Sequence, residues 1–191
     1  MAGAPGFRKR PGDSTESNVK QLVLFDLDGV LVDSRATMQT AWSEVRRQLG
    51  VDISFERYFA EIGRPFGEIM ARLGLGTVST QAAEVYFAAA EEQMESVPFY
   101  PGAREALDLL RRAGLRLGVV TSKAAANAAR IVHRLPIEWA SVQTPRAGLR
   151  GKPAPDHLLL AMAEANCDPA DTVYVGDMAV DAEAARRAGI D

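Results

Sequence analysis

Two short acidic stretches stand out for the chemistry their spacing allows. Asp26-Leu27-Asp28-Gly29 places carboxylates at i and i+2, straight after the apolar run Leu22-Val23-Leu24-Phe25. On an extended chain, alternation turns both carboxylates the same way, and at close range they repel unless a cation lies between them. Asp177 and Asp181 follow a second apolar run, Val173 to Val175, and stand one helical turn apart. Plainer readings exist for each: two acids on a solvent-facing turn, or a helix cap with a surface neighbour. Those readings explain one carboxylate well but not acids at two strand ends. Carboxylates converging on one sheet edge suit a hard divalent cation, Mg²⁺ best.

Other polar residues offer a place for an anion. Gly118-Val119-Val120-Thr121-Ser122-Lys123 ends a further apolar run in two hydroxyls, where Thr121, Ser122 and helix N-terminal amides can hold phosphate oxygens. Gly151-Lys152-Pro153 sets one lysine in a stiff loop before a helix. A lone loop lysine is ordinarily solvated, and Lys123, beside a helix start, reads as a surface charge. Cys167 has no partner for an internal disulfide, and with His133 and His157 it matches no familiar zinc spacing.

The elements that must position these residues follow from pattern. Leu22–Phe25, Leu115–Thr121 and Thr172–Val175 read as strands buried on both faces, with Trp139–Thr144 as a weaker fourth. Between them, Pro101 opens a helix with Ala106, Leu107, Leu110 and Ala113 on one stripe and Gly114 as its stop; Pro155 opens another. Alternating strands and helices predict an α/β, doubly wound parallel sheet. Residues 34–97 break the alternation. Ser34 is placed to cap a helix whose apolar positions are Met38, Ala41, Trp42, Val45 and Leu49, and helical segments follow near 55–61, 65–73 and 80–95. This is an all-helical insertion after the first strand. The core is then 21–33 with 98–191, and the Gly-, Pro- and Ser-rich residues 1–20, including Arg8-Lys9-Arg10, are expected to be a disordered tail.

Composition narrows the classes. With 191 residues, 47% of them hydrophobic, the chain can bury a sizeable core. A net charge of −3 argues against general nucleic-acid binding, and no apolar stretch reaches the ~18 residues of a membrane span. The N-terminus lacks the apolar segment of a secretory signal, so a cytoplasmic protein is expected.

Taken in order, Asp-Leu-Asp-Gly-Val-Leu-Val-Asp-Ser, Val-Val-Thr-Ser-Lys, Gly-Lys-Pro-Ala-Pro-Asp and Val-Gly-Asp-x-x-x-Asp resemble the four motifs of the haloacid dehalogenase-like superfamily. The resemblance spans 21–190. The helical insertion 34–97 looks like the cap of the phosphoglycolate phosphatase and β-phosphoglucomutase branch. The resemblance implies Asp26 as the nucleophile that becomes an aspartyl-phosphate, and Asp28 as general acid and then base. It implies Mg²⁺ held by the Asp26 and Asp177 carboxylates and the Asp28 carbonyl, with Asp181 in support. Thr121 and Lys152 match groups that hold the transferring phosphoryl oxygens, and Ser122 stands beside them. The dehalogenase branch lacks the second acid, so Asp28 points to phosphate chemistry.

The expected function is a Mg²⁺-dependent phosphatase of a small phosphorylated metabolite, phosphoglycolate-like or a sugar phosphate. A phosphomutase of the same architecture and a non-catalytic binding module are the alternatives. In such a protein the cap reads the leaving group, and Arg64, between Gly63 and Pro65, is the candidate contact; a solvated Arg64 starting the next helix is the other reading. Two departures from the family pattern stand out. The final core strand is missing after Asp191, so an oligomer partner or a further C-terminal segment would have to cover the edge of Thr172–Val175. The link from His133 to Arg150 is compressed and basic, which predicts a short third strand.

Overall fold

The computed structural model describes residues 19–191. Four parallel strands form one sheet: β1 (Leu22–Phe25), β2 (Arg116–Val120), β3 (Ser141–Gln143) and β4 (Thr172–Val175), in spatial order β3-β2-β1-β4. The apolar run of β1 earns its central place by being hydrophobic on both sides. Leu22 and Leu24 pack with Leu158, Met162 and Ala184 on one face; Val23 and Phe25 pack with Leu107, Ala128 and Ile131 on the other. Those partners come from helices α7 (Asp156–Glu164) and α8 (Ala179–Ala188) on the first face, and α5 (Ala103–Arg112) and α6 (Ala125–Val132) on the second. Helices on both faces of a parallel sheet are the doubly wound arrangement expected from the pattern.

Register matters most for the site. Phe25 pairs with both Val119 and Val175, so the chain leaves the ends of β1, β2 and β4 at one level. Asp26, Thr121 and Asp177 therefore emerge along the same carboxyl edge, where ligands bind in open α/β sheets.

Four helices precede α5 in the stretch that follows β1: α1 (Arg35–Leu49), α2 (Phe55–Phe59), α3 (Phe66–Arg72) and α4 (Ser79–Glu91). The apolar stripe of α1 is buried at Met38, Ala41, Trp42 and Val45, and α1 packs chiefly along α4. Trp42 is fully buried; its ring stacks on Tyr58 with centroids 4.2 Å apart, and its indole N–H donates to the Ile53 carbonyl at 2.9 Å. Burial of a large aromatic face with its one polar group satisfied accounts for much of what holds this helical layer together.

The structure departs from the sequence expectations in several local details. Ser34 sits at the start of α1 but makes no side-chain cap; its hydroxyl donates to the Asp28 carboxylate instead. Pro101 precedes α5 by two residues, with Gly102 at φ +83° turning the chain into the helix. The third strand is only three residues long, in keeping with its compressed approach. Residues 1–18, with Arg8-Lys9-Arg10, lie outside the described residues, but Lys20 is tied down: its Nζ lies 2.6 Å from Asp191 Oδ2 and also donates to the Ala170 carbonyl. Among the described residues β4 pairs only with β1, and the Tyr174 N–H on its other side donates to the Asp191 carbonyl at 2.8 Å. No helix among these residues is long and apolar enough to cross a membrane.

Candidate active site

Asp26 lies one residue beyond β1, 5% exposed, and both its oxygens are engaged. Oδ1 accepts from the Leu27 N–H at 2.7 Å and Oδ2 from Lys152 Nζ at 2.8 Å. The same ammonium lies 2.7 Å from Asp181 Oδ1. Asp181 is 1% exposed; its Oδ2 accepts from the Met178 N–H at 3.0 Å, and the Tyr174 hydroxyl lies 3.1 Å from its Oδ1. Lys152 is 3% exposed, so this is a buried acid–base–acid triad rather than a solvated loop lysine.

Asp177 completes the acidic group. Carboxylate oxygens of Asp26, Asp177 and Asp181 lie within 4.8 Å of one another. Two glycines make room for it. A Cβ at Gly29 would stand 2.1 Å from Asp177 Oδ2, and Gly29 also holds φ +80°, so this turn needs glycine on both counts. A Cβ at Gly176 would stand 2.3 Å from the Asp181 Cβ.

The electrostatics follow from crowding. Burial pushes the Asp26 carboxyl above its ordinary value, and although Lys152 opposes this, Asp181 and Asp28 add to the rise. Burial, then the charges of Asp26 and Asp181, push Asp177 up as well. Burial pulls the Lys152 ammonium down, but its two carboxylate partners outweigh this and hold it above the usual lysine value. Of the three acids, two pair with Lys152, and the group keeps excess negative charge among hard oxygen donors. That donor set fits Mg²⁺.

Asp28 belongs to a second group. Its carboxylate is not part of the three-acid cluster; it accepts from the Ser34 hydroxyl and pairs with Lys123, Nζ to Oδ1 2.9 Å. Lys123 is thus a half-buried partner of Asp28, its side chain 9% exposed, and not the surface charge its position beside a helix suggests. Nothing local in the sequence signals this pairing.

These groups form the floor of a cavity of about 330 Å³ between the sheet edge and the inserted helices. Asp26, Asp28, Thr121, Lys123 and Asp177 line it. Thr121 is 3% exposed, and its Oγ1 accepts from the Lys123 N–H at 3.2 Å, which leaves the hydroxyl hydrogen to donate. Lys152 lies behind Asp26, off the cavity wall, with two of its three donors on Asp26 and Asp181.

Ser122 is used differently from the expectation of a phosphate contact. Its hydroxyl donates to the Gly63 carbonyl at 2.7 Å, joining the sheet edge to the helical layer. Arg64 does line the cavity, but its guanidinium pairs with Glu61 at 3.4 Å and Glu68 at 3.2 Å. Those glutamates stand at i−3 and i+4, a spacing legible in the sequence. A second arginine, Arg35, was not singled out by pattern. It is exposed, lines the cavity, and lays its guanidinium over the Phe59 ring at 4.1 Å from the centroid.

Fold, site and family model agree on the family. The family model for haloacid dehalogenase-like hydrolases matches residues 23–191, and the chain belongs to that family. A relative from Dickeya dadantii, "Probable phosphatase IndB", is 34% identical, the match covering 90% of this chain and 79% of the relative. "Tyrosine-protein kinase PtkA" of Mycobacterium tuberculosis is also 34% identical, over 95% of this chain but 62% of its own length. "Phosphoglycolate phosphatase" of Nitrosospira multiformis is 31% identical, over 87% and 79%. Among solved structures, a hydrolase from Pseudomonas syringae matches with a TM-score of 0.79 at 26% identity, covering 90% of this chain and 82% of that one. Within the family the chain is a hydrolase of the phosphatase kind.

Proposed function

We propose that the protein is a Mg²⁺-dependent phosphatase of a small phosphate monoester, working through a phosphoryl group carried on Asp26. The observation that carries this reading is the buried Asp26 carboxylate at the cavity floor, grouped with Asp177 and Asp181 and oriented by Lys152. Asp26 attacks phosphorus and the alkoxide leaves; water then cleaves the Asp26 acyl-phosphate and releases inorganic phosphate. Asp28 gives its proton to the leaving oxygen and takes one from the attacking water. Thr121 donates to a phosphoryl oxygen, and Lys152 fixes the orientation of Asp26 and offsets the crowding of the acids.

Mg²⁺ would be held by the Asp26 and Asp177 carboxylates and the Asp28 main-chain carbonyl, with Asp181 holding Lys152 behind them. When bound it supplies charge neutralisation between the acids and the incoming phosphate. The two substrate kinds suggested by the sequence, phosphoglycolate and sugar phosphates, find little support in the helical wall, because Arg64 is already paired with Glu61 and Glu68. The test is release of phosphate from acetyl phosphate and p-nitrophenyl phosphate by the purified chain, with and without Mg²⁺. Turnover that needs the metal supports the reading; none with any phosphate ester, or turnover untouched by a chelator, removes it.

A further inference from the structure

The floor and the roof of the cavity differ in kind. The floor is acids, Thr121 and Lys123; the roof is aromatic. Tyr58, Phe59, Phe66, Tyr86 and Phe87 all line it, joined by Met94. Their rings hold one another in tilted and edge-on contacts: Phe66 to Tyr86 5.2 Å, Phe66 to Phe87 5.3 Å, Tyr86 to Phe87 5.6 Å between centroids. Trp42, stacked behind Tyr58, backs the group. Phe66 and Phe87 are only partly buried, so they keep surface for a further contact.

Beside the rings the wall carries only a few polar groups: the Tyr58 and Tyr86 hydroxyls, Thr37, Asn127, Arg64 and Arg35. Burial pushes both the Tyr58 and Tyr86 hydroxyls above the ordinary tyrosine value, and both side chains are buried behind the Phe66 and Phe87 rings' exposed surface. Arg64 is paired twice, and Arg35 lies exposed at the mouth, stacked on Phe59. A sugar or glycolate set against the Phe66 and Phe87 rings would give up water for aromatic carbon there, which is unfavourable unless its hydrogen bonds are remade elsewhere. A flat apolar ring would gain both burial and edge-to-face contacts.

We propose that the substrate is a phosphate monoester whose leaving group carries an aromatic ring, seated against Phe66, Tyr86 and Phe87 while the phosphate rests over Asp26. The proposal rests on the phosphatase reading of the floor and adds the class of leaving group. The cavity size suits it: about 330 Å³ lies at the small end of ligand sites and takes one ring with its phosphate.

The experiment compares kcat/KM for benzyl phosphate with ethyl phosphate, cyclohexylmethyl phosphate, 2-phosphoglycolate and glucose 6-phosphate. All are alkyl esters, so differences in leaving-group acidity are small beside differences in binding. Acetyl phosphate, with no body to reach the roof, reports the floor alone. Benzyl phosphate is expected to exceed ethyl phosphate, phosphoglycolate and glucose 6-phosphate by about 10-fold or more, and cyclohexylmethyl phosphate by a smaller margin. Benzylphosphonate should likewise inhibit about 10-fold more tightly than methylphosphonate, with Phe66→Leu and Phe87→Leu each narrowing that ratio. Acetyl phosphate hydrolysed with no benzyl preference overturns this inference and leaves the phosphatase reading standing. A cyclohexylmethyl ester equal to the benzyl ester overturns the aromatic requirement. Failure on acetyl phosphate and every ester overturns the phosphatase reading itself.

Discussion

Lys123 and Asp28 form an ion pair at the cavity floor, Nζ to Oδ1 2.9 Å, with the two side chains only 9% and 16% exposed. The Ser34 hydroxyl donates to the same oxygen, so both partners hold Asp28 by Oδ1, and its carboxylate lies outside the three-acid group of Asp26, Asp177 and Asp181. In the proposed mechanism Asp28 is the proton donor, and these two partners, from outside the acidic cluster, would aim it at the leaving oxygen.

Asp28→Asn is therefore expected to lower turnover most for alkyl phosphates and least for aryl phosphates, whose leaving groups need little protonation. Lys123→Ala should reproduce that pattern at smaller size, with a loss of roughly 10-fold on an alkyl ester, because it frees Asp28 without removing it. Leaving-group series on both variants check this. Equal losses on alkyl and aryl esters would assign Asp28 a geometric role and Lys123 one in substrate attraction.

Metal dependence should follow Asp177 and the glycine that admits it. Asp177→Ala is expected to raise the Mg²⁺ concentration for half-maximal activity about 10-fold or more, since water replaces a charged oxygen. Gly29→Ala should do the same or worse, because its methyl group would occupy the place of Asp177 Oδ2. Ca²⁺ should inhibit through its longer, looser coordination. A Mg²⁺ titration unchanged in both variants would take Asp177 out of the metal site.

Ser122→Ala separates two uses of one hydroxyl. Loss of the bond to the Gly63 carbonyl should speed amide exchange around residues 62–64, by the few-fold that one hydrogen bond of about 1 kcal/mol represents. Exchange unchanged with KM raised on every phosphate would return Ser122 to the phosphate-contact role its position suggests.

The sheet and its helices were legible because their signals are local: apolar runs of four or five residues, stopped by acids and glycines, alternating with helical stripes. The strand-end acids Asp26 and Asp177 were legible for the same reason. What stayed hidden depends on partners far away in the chain. Lys123 looks like any lysine beside a helix until the sheet brings Asp28 to it. Ser34 has the right residue type for a helix cap, but no helix amide donates to its oxygen, and its O–H is turned to the charged Asp28 carboxylate. Arg64 is the exception: Glu61 and Glu68, at helical spacing around it, were visible in the sequence and sufficed to show that its charge would be shared. The aromatic roof escaped notice because its rings, from three separate segments, meet only in the folded chain.

The central claim is that Asp26 carries the phosphoryl group. The most direct measurement is a rapid acid quench of the Mg²⁺-loaded protein turning over a ³²P-labelled phosphate ester, followed by digestion and location of the label. The account predicts label on the peptide containing Asp26, lost on treatment with hydroxylamine as an acyl-phosphate must be, and absent from an Asp26→Asn protein that is folded but inactive. Turnover with no trapped label, together with Asp26→Asn activity within a few-fold of the parent, would contradict it.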